Sequence, residues 1–205
     1  VTLELKTKVF FDNLEKAVEL MQEVILTSDF TDTKRLYEIL AEGKSRMQAQ
    51  MLSGGHSVAA GRALSYGSVA GVLSEELSGI PFYRLTANLE EHFDEEKDAL
   101  VSKLQTLAKM IFRKENLMVD FVGSEKAVNR LAAPIENLKK NLYDSPVQKE
   151  YYVPKAEKKN EGFMTSGQVQ YVCRAGNFLK KGLPYTGALK VLKVMMGYEY
   201  LWTQV

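Results

Sequence analysis

The sequence is short of several things, and each shortage excludes something. It carries a single cysteine, Cys173. That excludes an internal disulfide framework and a cysteine-based zinc site, and it fits a reducing compartment. Neither sign of charge dominates: 27 basic against 26 acidic residues leave a net charge of +1. No global field therefore draws the chain onto nucleic acid or an anionic membrane, and neither is an expected partner. No run approaches the ~20 unbroken apolar residues of a membrane span, and no signal peptide opens the chain. What is present is ordinary for a globular protein, with 45% apolar and 26% charged residues over 205 positions. At roughly 150 residues per domain this is one domain or one and a half, with enough apolar material for a sizeable core. Val1, not methionine, comes first and already sits inside an alternating pattern, as in a piece of a longer chain.

Periodicity divides the chain into elements. Leu3, Leu5 and Val9 alternate with polar residues after Val1, which predicts a half-buried strand over 1–9. Leu14, Ala17, Val18, Met21, Val24 and Ile25 then recur at helical steps to about Thr27, with Asp12 or Asn13 placed to cap. A second helix is expected from Thr31, capped by its hydroxyl, with Leu36, Ile39, Leu40, Met47 and Met51 as its stripe. From Ser53 to Gly79 the composition shifts to six glycines and six serines. This segment reads as a turn at Gly54-Gly55 followed by a small-residue helix through Val58, Ala59, Arg62, Ala63 and Tyr66.

Pro81 opens a further helix through Phe93, and another follows from Asp94 to about Phe112. Asn116 to Val122 is a short apolar run, expected as a buried strand. Ser124 caps a helix to about Leu142, interrupted by Pro134. Residues 143–163 are polar, charged and proline-bearing, the best linker in the chain. Val169, Tyr171, Cys173 and Ala175 alternate within a last expected strand over 165–176, and Thr186 caps a final helix. The fold class expected is α+β: an antiparallel-type sheet packed with several helices, truncated, then a linker and the start of a second similar domain.

Complete catalytic signatures are missing. His92 stands in His92-Phe93-Asp94-Glu95-Glu96, near the inverted zinc signature His-x-x-Glu-His, but Glu96 occupies the place of the second imidazole. A solvated acidic turn between helices is the simpler reading. His56, among Gly54, Gly55 and Ser57, reads as a capping or loop histidine. Gly43-Lys44-Ser45 ends like a phosphate loop but lacks the first glycine, and Gly67-Ser68-Val69-Ala70-Gly71 has the wrong spacing for a nucleophile elbow. Cys173, mid-strand, reads as a small buried hydrophobe. Arg174, Lys180 and Lys181 have one aromatic among them, Phe178, too little for a stacking platform. Tyr198, Tyr200 and Trp202 read as core or interface packing.

Several strings nevertheless add up in order. They are Leu26-Thr27-Ser28-Asp29-Phe30 with Arg35-Leu36, Ser53-Gly54-Gly55-His56-Ser57 with Arg62-Ala63-Leu64-Ser65-Tyr66, Ser78-Gly79-Ile80-Pro81-Phe82-Tyr83, and Gly197-Tyr198-Glu199-Tyr200-Leu201-Trp202. Together they resemble the C-terminal half of presequence-protease-type members of the insulinase (pitrilysin) zinc-peptidase family, over essentially the whole chain. The resemblance implies a clamshell of two halves, each of two related α+β domains. The N-terminal half carries the zinc motif, and the C-terminal half closes over the peptide without binding metal.

By that comparison 1–142 belong to the third domain, 143–163 form the linker, and 164–205 open the fourth. It implies no cofactor in this chain, zinc in the N-terminal half of the parent, and as partners that half and a peptide substrate. Its arginine and tyrosine for the substrate would lie beyond Val205, so Arg62 and Tyr66 are not that pair and no catalytic role falls on a residue here. The resemblance implies a chain inactive alone, in the cytoplasm or an organelle matrix. The segment 53–79, with His56, Arg62 and Tyr66, is a candidate surface toward the chamber or the other half; close helix packing inside the third domain is the other reading. A structural or interaction protein with the same fold and no peptidase activity is the alternative in function.

Overall fold

The computed structural model describes residues 2–147 and 151–204, and among them every regular element is helical. In order these are α1 (Leu14–Thr27), α2 (Thr33–Ser53), α3 (Gly55–Ser65), α4 (Val69–Ser78), α5 (Ile80–Glu91), α6 (Phe93–Ile111), α7 (Glu125–Asn141) and α8 (Gly187–Met195). A π-helical turn, Met196–Tyr200, leads from α8 into α9 (Leu201–Gln204). The chain divides into two compact units, Val1–Lys44 with Thr86–Tyr151, and Ser45–Leu85 with Tyr152–Val205.

The expected α+β fold with an antiparallel-type sheet is incorrect. None of the three segments expected as strands, 1–9 (Val1 lies outside the described residues), 116–122 and 165–176, forms one. Outside the helices the described residues make one isolated parallel bridge, Arg113 to Tyr143. Alternation shows which side chains share a face, but a strand exists only where a second segment completes the hydrogen-bond ladder. No such ladder forms at any of the three among the described residues, and Leu3, Val169 and Val172 remain exposed. Cys173, expected buried within a strand, is exposed for the same reason.

The first unit is organised by α1 against α7. Leu14 and Val18 on α1 and Ala127, Leu131 and Leu138 on α7 fall at helical spacing and form one buried cluster with Leu142. Ile25, Leu26, Phe112, Leu117, Phe121 and Ile135 pack around it. The buried stripe fades along α1: Val24, in its last turns, is 57% exposed. At the other end Arg130 donates through Nε and Nη2 to both carboxylate oxygens of Glu15, each at 2.7 Å, and its guanidinium lies 4.9 Å from the Phe11 ring centroid. Arg113 is buried, donating from Nη1 to the Ser145 carbonyl while the Tyr143 amide donates to Phe112 O at 3.0 Å.

Capping follows the sequence at some ends only. Ser124 accepts from the Ala127 amide as expected, and α7 continues through Pro134. The α2 cap comes from Asp32, whose Oδ1 accepts from Arg35 N at 3.0 Å; the Thr31 hydroxyl is engaged as a donor to Asp29 Oδ1. Asp12, Asn13 and Thr186 do not cap through their side chains. Tyr198 and Tyr200, expected to pack, are 79% and 58% exposed, and the side chain of Trp202 lies outside the described residues.

In the second unit the expected single small-residue helix is two. Gly67 and Ser68 interrupt it, and the Ser68 hydroxyl accepts from Gly71 N at 3.1 Å to start α4. A three-residue connection folds α4 back along α3. Gly71 makes the approach possible, because a Cβ there would stand 2.8 Å from the Leu64 carbonyl oxygen. Gly71→Ala therefore works against its better helix propensity, since the α3–α4 crossing must open. The expected outcome is a loss of about 1 kcal/mol or more in urea unfolding; a gain in stability would mean that the two helices separate freely.

Candidate functional site

Arg62 in the last turn of α3 and Tyr66, its C-terminal cap residue, stand one turn apart, and α4 supplies Glu75. Glu161, from the irregular stretch after α7, completes the group. Arg62 grips it with two parallel bonds, Nε to Oε2 at 2.7 Å and Nη2 to Oε1 at 2.9 Å. The Tyr66 hydroxyl donates to the same Oε2 at 2.5 Å. Arg62 Nη1 also stands 3.8 Å from Glu75 Oε1, which accepts from the Ile80 amide at 3.2 Å. Arg62 and Arg84 each place a guanidinium within about 6 Å of the Phe163 ring, close enough for cation–π attraction.

These contacts set the protonation states. The Arg62 bonds, then that from Tyr66, hold the Glu161 carboxyl down at about 2, and Lys159 adds to the effect. Glu161 in turn raises the Arg62 guanidinium, while burial, followed by the Glu161 bond, raises the Tyr66 phenol. A carboxyl depressed in the folded state contributes stability above its ordinary value near 4.5, and that contribution is lost as pH falls toward about 2. Between these limits the midpoint denaturant concentration should fall more steeply with acid in the natural chain than in Glu161→Gln. Parallel pH profiles for the two would show that the Arg62 pair adds nothing to folding.

Two cavities adjoin this group within the second unit. One, of about 170 Å³, is lined by Arg62, Tyr66, Glu75, Glu76, Lys155 and Lys159 among others. The other, of about 230 Å³, is lined by Met47, Met51, Val58, Leu64 and Glu75 with small residues of α3 and α4. Tyr152 donates to Glu76 Oε1 at 2.7 Å, and Asn177 Nδ2 donates to Gly67 O at 3.0 Å, so chain from beyond α7 is tied to α3 and α4 at several points.

Of the residues singled out in the sequence, Arg62 and Tyr66 come together and His56 does not join them. His56 sits exposed in the first turn of α3, with its ring 6.0 Å from that of Tyr171. Its expected capping or loop role is replaced by this helical position. His92 lies in the other unit and pairs through Nδ1 with Asn88 O at 3.1 Å. Among the described residues no three His, Cys, Asp or Glu side chains gather to hold a metal ion, so the donors present do not fit a zinc site.

Sequence reasoning missed Glu161 and Glu75. Glu161 stands 99 residues from Arg62 in a stretch whose composition reads only as linker, and nothing local marks it. Glu75 did carry a signal. Gly79, four residues on and just past the end of α4, leaves room for the Glu75 carboxylate itself, which a Cβ there would meet.

Residues 1–89 match the family model for the region associated with peptidases of family M-16, subfamily C. Over 203 residues the chain is 31% identical to protein HypA of Clostridium perfringens, covering 99% of this chain and 21% of that protein. It is 25% identical over 190 residues to presequence protease 1, chloroplastic/mitochondrial, of Arabidopsis thaliana, with 91% of this chain and 17% of that one covered. A mitochondrial presequence protease of Yarrowia lipolytica is 25% identical over 204 residues, 94% of this chain and 20% of its own. The resemblance to the C-terminal part of presequence proteases holds. The chain spans about a fifth of the length of these relatives. The peptidase-associated match covers α1 to α4 and most of α5, and so includes Arg62, Tyr66 and Glu75 but not Glu161.

Proposed function

We propose that this chain is a non-catalytic part of a zinc metallopeptidase that degrades unstructured peptides, and that it helps to enclose the substrate chamber. The observation that carries this reading is similarity over 91% and 94% of the chain to two proteins named as presequence proteases. In this reading the segment acts outside the chemical step, and the N-terminal peptidase half of the same parent chain holds the zinc. That half and the peptide are the proposed partners. Enclosure contributes to catalysis by excluding water and holding an extended peptide near the reacting centre.

Exposed apolar side chains support a chain that meets other surfaces. Val191, Leu192, Val194 and Met195 on α8 are each more than half exposed, an apolar face of a kind that monomers seldom leave open. The proposed compartment is the cytoplasm or an organelle matrix. Two relatives are named for mitochondria or chloroplasts, and among the described residues no helix is long and apolar enough to cross a membrane.

The test compares the full-length protein, the same protein lacking this segment, and the chain alone, each assayed for bound zinc and for cleavage of an unstructured peptide. The expected result is zinc in the first two, cleavage in the first only, and neither in the chain alone. Zinc at one per chain with chelator-sensitive cleavage by the isolated segment would overturn the proposal. So would full cleavage without the segment. A full-length protein that neither holds zinc nor cleaves would favour a structural role.

A further inference from the structure

We infer that the cavity of about 230 Å³ between α2, α3 and α4 of the second unit is a binding site for an aliphatic ammonium group. Glu75 is the one charged residue on its lining, and Met47, Met51, Val58 and Leu64 supply apolar wall. The Glu75 residue is only 6% exposed, and among the described residues its carboxylate meets the Ile80 amide at 3.2 Å and Arg62 Nη1 at 3.8 Å, both on Oε1. Oε2 lies beside two glycines that line the cavity. A Cβ at Gly61 would stand 3.7 Å from Oε2, a Cβ at Gly79 would meet the same carboxylate, and both glycines line the space.

Charge in the group is also incomplete. Glu75 and Glu161 share the Arg62 guanidinium, and the two short bonds go to Glu161. Lys159 pairs with Glu157 at 3.5 Å and acts on Glu161, and Lys155 lines only the neighbouring cavity, where Glu76 and Glu157 accompany Glu75. One carboxylate charge therefore adjoins a space whose wall joins the aliphatic Met47, Met51, Val58 and Leu64 to the uncharged polar Gln50, Ser57, Ser74 and Ser78. A protonated amine on an alkyl chain answers both features. Its N–H donates to Oε2 in a charge-assisted bond, and its methylenes lie on the methionine and aliphatic wall, where methionine adapts to irregular shapes. A free alkylamine and the lysine side chain of a peptide share this chemistry, and the site stands whether or not the longer protein cleaves peptides.

The test titrates the ¹⁵N-labelled 205-residue chain with n-pentylamine, with n-pentanol as the uncharged control, and with N-acetyl-lysine methylamide. Pentylamine should give saturable shifts of the Gly61 and Gly79 amides, with pentanol at least about tenfold weaker, as expected for the loss of one charge-assisted bond. Glu75→Gln should weaken pentylamine by a similar factor. Gly61→Val, which fills the space and keeps the carboxylate, should remove binding, and it serves if the glutamine variant fails to fold. If neither variant folds, the amine-to-alcohol ratio in the natural chain decides. Equal binding of amine and alcohol, undiminished amine binding in Glu75→Gln, or no saturable shift overturns the inference. Binding of the lysine derivative alongside pentylamine assigns the site to a peptide side chain; pentylamine alone assigns it to a small amine.

Discussion

Arg62→Met should cost the second unit about 3 kcal/mol of stability, in the range measured when one partner of a buried ion pair is removed. The guanidinium serves two carboxylates, and their exposures set the size of the loss. The Glu75 side chain is 7% exposed and the Glu161 side chain 27%. Water can replace Arg62 at Glu161, so that bond returns little when broken. Glu75 is far less exposed, and without Arg62 its carboxylate keeps the Ile80 amide and only such water as enters the adjoining cavities. The low end of the range is expected for this reason.

Arg62→Lys should recover only part of the loss, because an ammonium cannot make the two parallel bonds to Glu161. The double variant Arg62→Met with Glu75→Met should be more stable than Arg62→Met alone, since it removes the stranded charge. Urea unfolding with hydrogen exchange of the α3 and α4 amides is the measurement. A loss under 1 kcal/mol for Arg62→Met would place Glu75 in contact with water and dismiss the buried pair.

Leu138→Ala should destabilise the first unit by about 2–5 kcal/mol, the usual cost of a buried leucine truncated to alanine. Leu138 is 4% exposed, the least of the cluster it forms with Leu14, Val18, Ala127, Leu131 and Leu142. Its loss removes transfer free energy and leaves a hole that helices α1 and α7 can close only in part. Leu20→Ala is the control: Leu20 sits on α1 at 50% exposure, and truncation there should cost well under half as much. Exchange of the α1 and α7 amides should rise in Leu138→Ala and remain near the natural rate in Leu20→Ala. Equal effects of the two would mean that the α1–α7 contact is not the core of this unit.

Local elements were legible where a single stretch of chain carries all the needed information. Helix α7 is a clear case, with Ser124 as its cap and an end within a residue of that expected, although Pro134 does not interrupt it. Helix α1 was legible for the same reason. Helices α3 and α4 were half legible: the small-residue pattern showed a helix, while the break at Gly67-Ser68 was hidden because serine and glycine also occur inside it. Of the site, Arg62 and Tyr66 were visible as neighbours one turn apart. Their use was not.

By itself the sequence determined the helices with strong caps and stripes and the resemblance to presequence proteases through ordered strings. These depend on residues close in the chain, or on their order, and both survive without coordinates. Only the tertiary structure decided that 1–9, 116–122 and 165–176 form no sheet, because a strand depends on a second segment supplying its hydrogen bonds. It alone decided that Glu161 crosses 99 residues to Arg62 and that Glu75 is buried beside a cavity. Charge pairing and burial depend on distances in space, and at such separations nothing in the spacing along the chain records them.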